Sequence, residues 1–189
     1  HYNSIFIQVV SESSTRVQMI ESGLADYAIL IPTQLLSTLD DNQSVTVTYL
    51  HSWTNEFYLL NTKKPPTDNI WFRRAIASSF DRETIVKHVY KNTATKAKGL
   101  TPQNIPLFQE PDSLLKFDLD LARRYLEKSE INIDSINLNF SFVSTYEEYR
   151  LTAFMLLDNL RTLGVSLNLK PGLWSTNWDK AKNLETSPN

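Results

Sequence analysis

The sequence predicts an α/β fold, on three observations. Residues 5–31 read as strand, helix, strand. The apolar run Ile5-Phe6-Ile7-Gln8-Val9-Val10 is followed by a helical stretch through Arg16, Val17, Met19 and Ile20. Gly23 closes that stretch, and the apolar run Ala25–Ile31 comes next. Residues 136–169 repeat the order, with Gly164 in the place of Gly23. Each stretch has about the 30 residues of a βαβ unit and so predicts a parallel strand pair. Between them, Pro65–Val86 reads as a turn, a short amphipathic helix, a cap and a second helix.

The elements follow in order. Ser13 or Ser14 is placed to cap the first helix. Pro32 opens a short helix carrying Leu35, Leu36 and Leu39. Val45–Leu50 alternates like a half-buried strand, and Glu56–Asn61 reads as another. Pro65-Pro66 stops that strand, because neither residue can donate a ladder hydrogen bond. Asp68 is placed to cap the next helix, whose buried face is Phe72, Ala75, Ile76 and Phe80. Asp81 caps a second helix with Ile85, Val86 and Val89 inward. Residues 99–116 hold three prolines and read as irregular. A helix is expected over 121–128 after Asp118 and Asp120. A period-two strand is expected over 136–142, then a helix over 146–162 and a strand over 165–169. The tail 185–189 carries no order signal.

Composition narrows the function. The chain has 189 residues, 41% hydrophobic and 21% charged, with a formal net charge of −2. That charge creates no field favouring nucleic acid or an anionic membrane. Lys63-Lys64 and Arg73-Arg74 are isolated basic pairs that read as solvated surface. The absence of cysteine removes disulfides, thiol nucleophiles and thiolate metal sites. Four glycines leave no glycine-rich phosphate loop. No apolar run approaches the ~20 residues of a membrane helix. The first residue is His1 rather than Met, which suggests a mature or excised piece.

Catalysis finds little support. His1, His51 and His88 are uncoupled in sequence, and no nucleophile–base or metallohydrolase motif occurs. Asp40-Asp41 and Asp118/Asp120 sit where capping explains them. The aromatic residues are more suggestive: four tryptophans, eight tyrosines and nine phenylalanines. Tyr49, Trp53 and Tyr58 cluster along 49–61, while Trp174 and Trp178 follow the last predicted strand. Core packing and the lining of a binding surface are both open for these rings. Glu147 and Glu148 fit a helix N-terminus through the dipole.

Five segments in order resemble one family. They are Arg16–Asp26, with its "R, apolar, x-S-G-x-x-D" turn; Phe57–Asn61; Pro65–Val86; Phe117–Leu126; and Leu163–Leu169. The family is that of the extracytoplasmic peptide-binding proteins of ATP-driven importers, the family 5 solute-binding proteins. Leu119 stands where the family usually has proline. Ser129-Glu130 stands where an Ala-Gly usually closes the helix. The resemblance implies a fragment of a two-lobed periplasmic-binding-protein (type II) fold with mixed sheets. Residues 1–52 would end the first lobe and 53–189 begin the second, with a hinge in Tyr49–Asn61.

It further implies capture of a peptide in the cleft between the lobes, with Tyr49, Trp53, Tyr58, Glu148 and Trp174 as ligand-binding residues. Ile29 falls near a cleft position, with core as the alternative. Arg73, Arg74, Asp81 and Arg82 are read as structural. No catalytic residue, metal or cofactor is implied. The implied partners are a peptide and the permease subunits of an ABC transporter, with no nucleic acid and contact with the membrane only through the transporter. The implied location is the periplasm. Alternatives in the same fold are nickel, heme, sugar or opine as ligand, or the sensing domain of a transcriptional regulator.

Overall fold

The computed structural model describes residues 3–50, 52–111 and 116–188. The chain divides into two units, His1–Leu50 and His51–Asn189.

The first unit holds two helices, α1 (Ser13–Glu21) and α2 (Thr33–Asp40). Glu12, not Ser13 or Ser14, caps α1, its carboxylate accepting from the Ser14 amide. Gly23 follows the helix at φ +73, where a side chain would be strained. Val17 and Leu39 are the buried apolar residues here. The runs 5–10, 25–31 and 45–50 lie in neither helix nor strand, so the first predicted βαβ unit does not form. Phe6 is 93% exposed. Alternating apolar residues make a strand only where a neighbour offers a facing row of amides and carbonyls. None does so among the described residues of this unit. Arg16 ties two of these runs instead: it donates to the carbonyls of Val10 (2.6 Å), Ser11 (3.1 Å) and Leu30 (2.7 Å).

The second unit contains the main core. Helix α3 (Ile70–Ser78) buries Phe72, Ala75 and Ile76, as its spacing predicts. Its cap is Asn69 rather than Asp68. Asn69 Oδ1 accepts from the amides of Trp71 (2.8 Å) and Phe72 (3.3 Å). Its Nδ2 donates to the Ser129 carbonyl at 3.2 Å, a donor role closed to a carboxylate. Asp81 caps α4 (Arg82–Thr84), accepting from the Thr84 amide (3.0 Å) and hydroxyl (2.6 Å). A π-helical turn, Ile85–Val89, continues α4 and buries Ile85 and Val89. Helix α5 (Leu119–Ser129) starts on Asp118, whose carboxylate accepts from the Leu121 amide at 2.8 Å, and packs against α3.

Strand β1 (Asn137–Val143), helix α6 (Glu147–Thr162) and strand β2 (Ser166–Gly172) form the second predicted βαβ unit. The strands pair in parallel, from Asn137 opposite Ser166 to Val143 opposite Gly172. Gly164 turns the chain between α6 and β2 at φ +80. Helix α7 (Trp174–Ala181) then packs on β1. Phe72, Leu126, Leu138, Leu156, Leu160 and Val165 share one core cluster drawn from α3, α5, α6 and the sheet.

Three expectations are corrected here. Glu56–Asn61 is not a strand among the described residues; Tyr58 and Leu60 instead pack inward on the core. Residues 185–187 of the tail are held by contacts. Ser187 is buried, its hydroxyl accepting from Asn61 Nδ2 (2.6 Å) and its carbonyl from Lys64 Nζ (2.9 Å). The basic pairs are not simply solvated. Arg73 braces the carbonyls of Thr67 (2.9 Å) and Asp68 (2.8 Å), and the Arg74 guanidinium lies 4.8 Å from the Trp71 ring centre. His1 and His51 lie outside the described residues, as do residues 112–115 of the proline-bearing segment.

Candidate functional site

Residues 57–60 alternate between two faces. Tyr58 points inward, and its ring meets Phe80 and Phe140 edge-on, both at 4.7 Å. Phe57 and Leu59 are exposed on the other face, and Trp53 is 68% exposed. Period two therefore gives Tyr58 to the core and leaves Phe57 and Leu59 outward. The family-like reading of the sequence passed over these two outward residues. The alternation around Tyr58 was the signal that could have found them.

Below this segment lies a polar cluster. Tyr90, at the end of the π-helical turn, donates its hydroxyl to Glu56 Oε2. Tyr149, in the first turn of α6, lies beside the same carboxylate. Glu148 lies close enough to repel it. Glu56 keeps an exposed face, yet the crowding phenols remove much of its hydration. That desolvation, with the Glu148 charge, raises its pKa above 4.5 against the opposing Tyr90 hydrogen bond. Burial and the same carboxylate push the Tyr149 phenol up to about 12 and those of Tyr90 and Tyr58 upward as well. Glu147, by contrast, pairs with Arg150, whose hydrogen bond lowers its pKa.

Trp174 opens α7 and is 65% exposed. Its ring stacks on Trp178 at 5.5 Å and 10°, one helical turn on. Asn177, between them, holds α7 to the sheet by donating from Nδ2 to the Phe142 carbonyl at 2.9 Å. The indole pair is thus a flat apolar surface on an anchored helix. Tyr49 belongs to the first unit, where its ring is 57% exposed; Ile29 is exposed in the same unit.

Of the five residues singled out by resemblance, Glu148 and Tyr58 meet around Glu56. Trp53 and Trp174 are exposed rings of the second unit. Glu56, Tyr90 and Tyr149 were not singled out. A lone glutamate in an apolar run was the visible signal for Glu56; its partners sit far along the chain. No group of three or more His, Cys, Asp or Glu side chains among the described residues is arranged to hold a metal ion. No described helix is long and apolar enough to cross a membrane.

Residues 1–187 match the family described as bacterial extracellular solute-binding proteins, family 5, middle region. The glutathione-binding protein GsiB of Escherichia coli O6:K15:H31 is 28% identical over 127 residues, 67% of this chain and 25% of that protein. GsiB of strain K12 is 28% identical over 107 residues, 57% of this chain and 21% of that protein. The chain therefore spans about a quarter or less of the length of these relatives. Among solved structures, DppA from Helicobacter pylori in complex with the peptide STSA superposes with a TM-score of 0.80 at 20% identity, over 95% of this chain and 34% of that one. NikA from Staphylococcus aureus with Ni(L-His)2 gives 0.78 at 19% identity, over 90% and 37%. The dipeptide-binding protein of Pseudoalteromonas sp. SM9913 with Met-Leu gives 0.76 at 22% identity, over 89% and 34%. The fold is thus part of a type II periplasmic binding protein.

Proposed function

This chain belongs to the bacterial extracellular solute-binding proteins, family 5, and from that premise we propose that it is the middle part of a peptide receptor serving an ABC importer. The first unit would end one lobe and the second begin the other. A peptide would be held between them by hinge closure. The closed receptor would dock on the permease subunits from the periplasmic side. The chain has no role as an enzyme in this reading.

The observation that carries the peptide reading is the set of outward apolar side chains left unused by the core: Trp53, Phe57 and Leu59 on 52–61, and the Trp174–Trp178 stack on α7. Broad aromatic faces give contact area without demanding one side-chain identity. A receptor of varied peptides needs such walls, with backbone groups pairing to the extended ligand. Tyr49 would add a wall from the first unit, and Glu148 a carboxylate for a basic ligand group. Relatives named for glutathione and for dipeptides support the same class of ligand.

The test is thermal stabilisation of the full-length receptor containing these residues, with di- to octapeptides, glutathione, nickel–histidine, heme and sugars. A ligand that binds the native state raises its melting temperature as its concentration exceeds Kd. Shifts with several unrelated peptides, weakened by Trp174→Ala, are expected. A shift only with nickel–histidine, heme or a sugar would keep the fold and overturn the peptide reading.

A further inference from the structure

Two cations converge on one indole where α3 meets α5. Trp71, in the first turn of α3, stacks on Tyr125 of α5 at 5.8 Å and 28°. The Arg74 guanidinium, one turn on along α3, lies 4.8 Å from the Trp71 ring centre. The Lys128 ammonium, one turn beyond Tyr125, lies 5.0 Å from it. The ring attracts both charges and so holds them together. Five other cations of the second unit each pair with a carboxylate. Arg74 and Lys128 make no ion pair among the described residues, and their N–H groups donate to no protein acceptor there. We propose that this face of α3 and α5 docks an acidic segment of the importer's permease subunits. The proposal rests on the importer reading above.

The chemistry selects the occupant. Two positive charges with open donors are complementary to carboxylates, and the planar Arg74 fork can take one bidentately. Trp, Tyr and Arg are also the side chains that carry most of the energy at protein interfaces. A lipid surface would need an apolar helix face to enter. Both helices turn theirs inward: Phe72 and Ile76 of α3, and Ala122 and Leu126 of α5, are buried. The surface is also held in shape. Asn69 caps α3 and donates to the Ser129 carbonyl at the end of α5 (3.2 Å). Arg73 braces the carbonyls of Thr67 and Asp68 ahead of α3 (2.9 and 2.8 Å). A pre-ordered surface gives up little freedom on binding. None of the residues proposed above to wall the peptide belongs to this face, so docking and capture can be tested apart.

The experiment measures binding of the full-length receptor to its permease complex in nanodiscs, by interferometry at several salt concentrations, with mixed di- to octapeptides present. The double variant Arg74→Glu with Lys128→Glu should weaken binding about tenfold or more and flatten its salt dependence. Its peptide-induced rise in melting temperature should match the wild type's. Equal affinity of wild type and double variant for the permease overturns the proposal. So does a loss seen equally on protein-free phosphatidylglycerol nanodiscs, which would assign the face to lipid, or a loss of receptor self-association alone, which would assign it to a second copy. A wild type that does not bind the permease overturns the importer reading and this proposal with it. Permease binding that depends on Arg74 and Lys128, in a receptor that no peptide stabilises, would keep this proposal and remove only the peptide ligand. If the double variant does not fold, Arg74→Gln and Lys128→Gln decide the matter singly, and no weakening in either overturns it.

Discussion

At Glu130 the backbone is left-handed, φ +57, just after α5. A residue with a Cβ is strained there by about 1–2 kcal/mol, and glycine is not. Glycine's extra freedom in the unfolded chain offsets part of that gain. Glu130→Gly should therefore stabilise the second unit by about 0.5–1 kcal/mol, raising its melting temperature; an unchanged or lower value would refute the strain. Ser78 presents the opposite problem. It is fully buried, and its hydroxyl has no hydrogen-bond partner among the described residues. An unpaired buried hydroxyl costs about 1–3 kcal/mol. Ser78→Ala should thus leave stability unchanged or raise it, whereas Ser79→Ala, which removes a bond to the Ile76 carbonyl (2.7 Å), should lower it. Denaturant midpoints of the two variants compare them directly. Cap positions show how far residue-level reading reaches. Asp81 and Asp118 were legible because a carboxylate beside a helix start has one obvious use. Asn69 displaced Asp68 because its amide also had to donate to Ser129, a partner 60 residues away that local sequence does not reveal.

Among the elements, β1, α6 and β2 were legible because each carries its own period and Gly164 marks the turn between them. The apolar runs 5–10, 25–31 and 56–61 and the alternating run 45–50 also read as strands and are not strands. Alternation records which side chains prefer burial; pairing depends on what lies alongside. In 57–60 the side chains alternate, with Tyr58 and Leu60 inward on the core, although the segment is not a strand. The anchoring of α7 was invisible in sequence for a related reason. A Cβ on Gly172 would lie 2.6 Å from Asn177 Oδ1, and the Asn177 side chain is fixed by its bond to Phe142. Gly172→Ala must push that amide away. The expected cost is about 1–2 kcal/mol, one neutral hydrogen bond plus local repacking. The double variant Gly172→Ala with Asn177→Ala should cost less than the sum of the two single changes, because both act on one contact. Additive losses in chemical denaturation would show that the glycine is not needed for the Asn177 bond.

On the scale of the whole chain, the two units differ in what holds them. The second has a contiguous core reaching from Phe72 to Val165 and a parallel sheet. Among its described residues the first has two helices, two buried apolar residues and the Arg16 bonds to carbonyls. Its exposed side chains include Ile5, Phe6, Ile7, Val9, Leu30 and Leu50. Local stability follows buried apolar contact and protected hydrogen bonds. Amides in 5–10, 25–31 and 45–50 should therefore exchange close to the unprotected rate. Those of β1, β2 and the buried face of α6 should exchange only with opening of the second unit's core. Apolar surface of this extent also favours association. Dilution should consequently leave exchange in β1 and β2 unchanged while speeding it in 5–10, if copies cover one another there. Hydrogen-exchange mass spectrometry at two concentrations reads both effects. Strong, concentration-independent protection across 5–10 and 25–31 would mean that these runs pair as strands within one chain, and that the first βαβ unit read in the sequence does form.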